Sequence, residues 1–431
     1  MKSPLYAQSQ IADSSIGIIG AGPAGITMAY ALYQQGFRDI TVIDRAPEVG
    51  GQSTTLVVDG HKSELGTCYL HFGYWNTKKL IKSVGYSFDV LPGPTVLDAD
   101  GQAIPKPKPP LRAVIRYLRK WLQWKRKKQL ARPEDDEDAL SFDEWLSVNN
   151  VAKLAEDFIF SAGLTGQLYG PADQVTAFSG LQWMRPSALV SGKFGLIYET
   201  REGFQNLWKE IVRKHKIKTI LNASVTRVDG LGGSAKVSFD EKNQRRDLIF
   251  DAVVVSIPLD KIISPISSVV QEHGSFDYTY TYSAVWQCEN WPKSIPSRAY
   301  MPACRTGEFN TPLTIRLDGT RDGKSTGLLV GYVQPGAKEA EVRKCFIDAF
   351  QRVLGVRAVE VIEDRIWEYN IRYSPTQLRA GLPGLIDKAQ GNHHVWYSGG
   401  TLSHWNVESI LNFNQALAHR FAQQHQNKTT S

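Results

Sequence analysis

Ile16-Gly-Ile-Ile-Gly20-Ala-Gly22-Pro-Ala-Gly25 is followed by Ile26–Gln35, Gly36 and Ile40–Ile43, with Asp44 at the end. Ile16–Ile19 is a short apolar run, the length of a buried strand. Ile26–Gln35 has helical propensity, and Gly36 stands where glycine commonly ends a helix. Ile40–Ile43 reads as a second strand. Gly20 permits a tight turn, Gly22 lets a pyrophosphate approach the backbone, and Gly25 lets helix and strand pack closely. The helix start, with Pro23 and Ala24, leaves N–H groups unpaired, and these favour an anion. Asp44 can accept hydrogen bonds from a ribose diol. Gly-x-Gly-x-x-Gly alone is a weak signal. Strand, loop, helix, strand and acid in order predict a dinucleotide-binding βαβ unit in an α/β fold.

The whole chain is compatible with that unit. Its 431 residues are 42% hydrophobic and 22% charged, which suits a large two-part globular fold and excludes disordered, collagen-like and coiled-coil classes. No apolar run approaches the ~20 residues of a membrane span. The longest, Ala252–Leu259, has the length of a buried strand. Met1–Ser15 is polar and lacks the apolar region of a secretory signal. Cys68, Cys288, Cys304 and Cys345 form no CxxC pair, so neither a disulfide framework nor a zinc site is expected. The chain has no HExxH, Walker loop or nucleophile elbow. His393-His394 lacks carboxylate company, so no metal site is expected. These features predict a cytoplasmic protein, peripheral at a membrane surface at most.

The net charge of +7 is local in origin. Eleven of the 50 basic residues lie between Lys106 and Arg132, with no acid among them, and the rest of the chain is mildly acidic. Within this segment Leu111, Val114, Ile115, Leu118, Trp121 and Leu122 recur at helical spacing after Pro109 and Pro110. The pattern predicts a basic amphipathic helix over 109–130, followed by the acidic run Glu134–Asp138. Three readings stay open for 106–132. It is a solvated surface helix, a helix lying on an anionic membrane surface, or a docking face for an acidic partner such as an acyl carrier protein. No nucleic-acid partner is expected, because no stacking platform or reading helix accompanies it.

Later segments carry a resemblance. Arg45-Ala-Pro-Glu-Val-Gly-Gly51-Gln52 follows Asp44, and such a second glycine pair is what large FAD-binding oxidoreductases show. Arg201-Glu-Gly-Phe-Gln205 opens a helix, and Ile220–Val225 and Val253–Pro258 read as strands. Val395-Trp-Tyr-Ser-Gly399-Gly400 leads into a helix over Asn406–Phe421. In this order the pieces resemble the flavin amine oxidase superfamily. Gly60-His-Lys-Ser-Glu64-Leu-Gly66, Ser141–Leu146, Glu199–Gln205 and Ile366–Tyr369 are similar to the polyenoic fatty acid isomerases within it. The resemblance implies a Rossmann-like FAD-binding domain (1–60, 200–270 and 391–431). It implies a mixed α+β substrate domain (a helical insertion 61–199, and a strand-rich 271–390). It further implies non-covalent FAD and a hydride step at flavin N5 on an apolar unsaturated acyl chain. Leu65, Gly66, Val225, Gly399, Gly400 and Val407 would then stand beside the cofactor, with Arg45, Gly51 and Gln52.

Three departures from that family pattern bear on the substrate. No arginine follows Gly93-Pro94, so Arg185 or Lys193 is expected to meet a head group, unless the acyl group arrives on a carrier. Gly192 replaces an aromatic residue lining the channel. Gly400 replaces an acid that holds a ribityl hydroxyl. Tyr69, His71, Trp183, His404 and Trp405 are the expected pocket wall, with His404 and Trp405 facing the isoalloxazine. The alternating Tyr278–Trp286 stretch is expected to turn one face to the pocket. Three functions follow: a redox-neutral acyl isomerase, an FAD oxidase or desaturase of an amine or acyl substrate, and a non-catalytic flavin-binding adaptor.

Overall fold

The computed structural model describes residues 12–105, 110–129, 136–154, 163–295 and 297–430. The polar stretch 1–11, the basic residues Lys106, Lys108 and Arg132, and the start of the acidic run lie outside the described residues.

Ser15–Ile19 pairs in parallel with Asp39–Ile43 on one side and Ala252–Val255 on the other. Lys218–Ile220 and Val395–Tyr397 complete a five-stranded parallel sheet. The central strands are buried on both faces, which is why they read as unbroken apolar runs. Helices Pro23–Gln34, Phe204–His215 and Val407–Thr430 cover one face through Ile26, Leu32, Leu207, Trp208, Leu411 and Phe421.

The expected strand Ile220–Val225 is two strands. It breaks at Asn222 (φ +55°), and the chain leaves the parallel sheet for an antiparallel one built from Ala223–Gly230, Ala235–Glu241 and Gln244–Phe250.

A seven-stranded mixed sheet forms the second layer. Its order is Arg357–Arg372, Asp277–Glu289, Lys324–Tyr332, Thr314–Arg321, Arg298–Tyr300, Thr95–Leu97 and Ala103–Ile104. The segment 61–199, expected to be helical, thus contributes strands here. It also supplies one strand of the hairpin Thr55–Val58/His61–Glu64. The tyrosine-rich strand reaches the cavity at its start, where Tyr278 lines it, and not along its length. Tyr282 and Trp286 are fully buried against Phe346 and Phe350 of the Glu339–Leu354 helix. The opposite face, through Val285, packs on Leu65 and Leu328.

Polar side chains tie the layers together. Asn414 Nδ2 donates to Ala24 O and Thr27 Oγ1, both at 2.8 Å, so the last helix grips the first at its glycine turn. Glu408 accepts from Asn76 N, Thr77 N and Thr77 Oγ1 and caps the Trp75–Ser83 helix. A carboxylate there is stabilised by the helix dipole.

The basic helix is present as Leu111–Gln129. Its buried stripe is Tyr117 and Trp121, flanked by Val114, Leu118 and Trp124. Leu111, Ile115 and Leu122, part of the apolar stripe read from spacing, are exposed. No helix among the described residues is long and apolar enough to cross a membrane.

Candidate active site

A single cavity of about 1110 Å³ runs along the ends of the parallel strands. That is the crevice where open α/β sheets bind ligands. At one end it is lined by Gly20, Gly22, Pro23, Ala24, Gly25, Asp44 and Arg45, with Gly51, Gln52 and Val225. The glycines are sterically required. A Cβ on Gly25 would lie 1.8 Å from Gly20 O, and one on Gly51 would lie 2.7 Å from the Gly22 Cα. Gly20 also has φ +107°. Asp44 accepts from Ala21 N at 2.5 Å and Ala46 N at 2.7 Å. Each carboxylate oxygen keeps acceptor capacity for a diol.

Further along, Gly66 and Gly400 line the cavity with Trp405, Asn406, Val407 and Ile410. Asn406 Oδ1 caps the final helix by accepting from Ser409 N, while its buried Nδ2 has no hydrogen-bond partner. An unpaired buried donor beside a helix N-terminus fits an electron-rich ring edge. Gly400 has a local reason to lack a side chain. The Trp405 indole would stand 1.9 Å from its Cβ.

The far end is a chamber of Cys68, Tyr69, His71, Gln167, Tyr169, Trp183, Arg316 and Trp367. Tyr169 stacks on Trp183 at 4.4 Å, and His71 meets Trp183 edge-on at 5.0 Å. Burial, with the charges of Arg185 and Arg298, pushes the His71 imidazole down to about 3. Burial pushes the Cys68 thiol up to about 12, against the pull of Arg316. Arg316 is 2% exposed and ion-pairs with Asp318 and Glu199, yet none of its three nitrogens completes a well-formed hydrogen bond. The guanidinium carbons of Arg298 and Arg316 lie 5.4 and 5.8 Å from the Tyr69 ring centre.

Of the expected wall, Tyr69, His71, Trp183 and Trp405 line the cavity, whereas His404 and several residues expected beside the cofactor stand elsewhere. Leu65 is fully buried under Val285, and only its neighbour Gly66 reaches the cavity. Glu64 is buried behind the wall, accepting from Phe204 N and Thr55 Oγ1. Gly399 does not line the cavity; its φ of +116° makes the turn from strand to helix. His404 lies outside the lining, stacked behind Tyr169 at 5.2 Å, because Trp405 takes the cavity face. Its Nε2 is buried without a partner, and burial with Arg185 holds it well below the usual imidazole range.

Arg185 donates to Ser409 Oγ at 2.9 Å instead of facing the cavity. Gly192 and Lys193 are exposed at the end of the Pro186–Phe194 helix. That helix turns Leu189 and Ser191 inward, and Ser191 Oγ accepts from Phe72 N. The residues unforeseen from sequence are Tyr169, Arg298 and Arg316. Arg316 shares a strand face with Asp318 in Thr314–Arg321, because residues two apart on a strand lie on one side, where this arginine and acid pair.

A family model described as flavin containing amine oxidoreductase matches residues 23–374. The chain belongs to that family. It is therefore a flavin enzyme, with an amine-oxidase-type fold. The curated polyenoic fatty acid isomerase of Ptilota filicina is 20% identical over 332 residues, 67% of this chain and 66% of that relative. The match thus spans just under two thirds of the relative's length. The crystal structure of the CLA-producing fatty acid isomerase from P. acnes superposes with a TM-score of 0.78 at 21% identity, covering 95% of this chain and 99% of that one. Putrescine oxidase bound to putrescine superposes at 0.71 and 17% identity, covering 95% and 98%.

The glycine turn, Asp44 and the unpaired Asn406 donor fit a flavin dinucleotide. The cavity also exceeds the ~300–1,000 Å³ of ordinary small-molecule pockets.

Proposed function

We propose that the cavity holds FAD without a covalent link and, beside its ring, the hydrocarbon chain of an unsaturated fatty acid whose double bonds move without net oxidation. The observation carrying this reading is continuity. One cavity joins the glycine turn to a mostly aromatic chamber with a buried arginine in its wall. Gly20, Gly22, Gly25 and Gly51 would pass the pyrophosphate, Asp44 and Val225 the adenosine side, and Gly66, Gly400, Asn406 and Val407 the ring side. The division into a cofactor part (1–60, 200–270, 391–431) and a substrate part (61–199, 271–390) follows this reading.

When bound, the flavin supplies acceptance and return of a hydride at carbon. The chain supplies position and dryness. Tyr69, Tyr169, Trp183 and Trp367 offer apolar faces to an acyl chain and keep water from the reacting carbon. His71 stays neutral at physiological pH and adds no charge to an apolar chamber. Cys68 stays a thiol, which supports a dissociable cofactor.

Arg316, in the cavity wall, supplies the positive charge absent after Gly93-Pro94, with Arg298 behind it outside the lining. Arg298 Nη2 donates to Pro92 O at 2.6 Å, beside that segment. A free carboxylate is the head group that fits. On this reading it meets Arg316 and not Arg185 or Lys193.

Turnover of a polyunsaturated fatty acid in a sealed, oxygen-free cuvette tests this. A conjugated-diene absorbance should rise as fast as in air, with no peroxide. Peroxide formed in step with product, or no turnover without oxygen, would replace this reading with the oxidase one.

A further inference from the structure

We infer that the Leu111–Gln129 helix seats the protein on an anionic lipid surface. At about 100° per residue the helix carries a broad apolar arc. The body covers only part of it. Tyr117 and Trp121 are buried, whereas Leu111, Ile115 and Leu122, within about 40° of one another on the wheel, are 69%, 42% and 48% exposed. Arg126, Arg119 and Arg112 follow directly around the helix, and all three are exposed. None has a carboxylate partner among the described residues. The helix contains no acidic residue.

A row of uncovered leucine and isoleucine beside a row of arginines suits one environment above others. The aliphatic row enters the acyl boundary while the long cationic side chains reach back to the phosphates. An acidic protein would use the arginines and leave the aliphatic row without a role.

The helix is also fixed to the cavity wall. Trp121 Nε1 donates to Leu181 O at 2.8 Å and Tyr117 Oη to Met184 O at 2.7 Å, flanking the cavity-lining Trp183. A lipid surface at this helix therefore lies next to the chamber proposed to take an acyl chain. The docking itself needs no turnover, so its failure would leave the proposed reaction standing, and the reverse.

Co-sedimentation of the full chain with phosphatidylcholine vesicles, with and without phosphatidylglycerol, tests the inference. Binding should require phosphatidylglycerol. It should fall about fivefold for each of Arg112→Gln, Arg119→Gln and Arg126→Gln. The triple variant Leu111→Ser/Ile115→Ser/Leu122→Ser should weaken it about tenfold or more, with the far-UV helical signal and the cooperative melting transition retained. Absence of binding to anionic vesicles would overturn the inference. So would binding insensitive to the serine triple variant, or an acidic acyl carrier protein binding this face in place of vesicles.

Discussion

Burial and the charges of Arg185 and Arg298 hold the His71 imidazole at about 3, while burial lifts the Glu64 carboxyl to about 7 against the pull of Lys62. The two act oppositely on stability. Below an unfolded pKa of about 6.5 the unfolded chain protonates His71 and the folded one does not, so this contribution is lost as pH falls from about 6.5 towards 3. Glu64 stays protonated in the folded chain after the unfolded one has ionised. Its contribution is present below about 4.5 and lost as pH rises to about 7. Glu64→Gln should therefore gain melting temperature relative to the parent between pH 4.5 and 7. A difference that does not change with pH would contradict the assignment. Nitrogen NMR of the His71 ring should show a neutral imidazole at pH 6, and an imidazolium there would be equally contrary.

Gly25→Ala tests the turn itself. The new Cβ meets Gly20 O, and FAD affinity should fall about tenfold or more, read by flavin fluorescence on titration. The glycines were legible in sequence because each has a steric job at a fixed spacing. Tyr169 and Arg316 were not. Tyr169 reaches the chamber through a long-range bond from its hydroxyl to Trp405 O, which no local pattern encodes. His404 was misplaced because spacing cannot say which of two adjacent residues faces inward; the bulk of Trp405 decides it.

The first and last helices are joined by Asn414, which is fully buried. Asn414→Ala would leave Ala24 O, Thr27 Oγ1 and Ser398 Oγ without their shared partner. It should cost roughly 3 kcal/mol in urea unfolding and loosen FAD, because Ala24 lies in the glycine turn. A cost confined to stability, with FAD affinity intact, would separate the helix contact from the site. Helices and parallel strands were readable from their apolar runs and glycine ends. The basic segment is legible as a helix from its apolar spacing. A wide apolar arc does not say which part the body covers, and Tyr117, the most buried residue, was missing from the expected stripe.

At the scale of the molecule, two sheets distant in sequence close around one cavity, and the chemistry depends on what that enclosure excludes and admits. Parallel neighbours such as Val253–Val255 and Val395–Tyr397 are joined only by folding, so the strand order was beyond local reading, although the α/β class was not. If Arg316 meets a carboxylate, the methyl ester of a substrate acid should bind about 10- to 100-fold more weakly than the free acid, the loss of a charged hydrogen bond. Equal affinity would move the head group elsewhere. The most direct measurement follows deuterium placed on the carbon between two double bonds of the fatty acid, through one anaerobic turnover. The account predicts that the label reappears on another carbon of the same product. Product formed only with oxygen, with the label lost from the hydrocarbon, would contradict it.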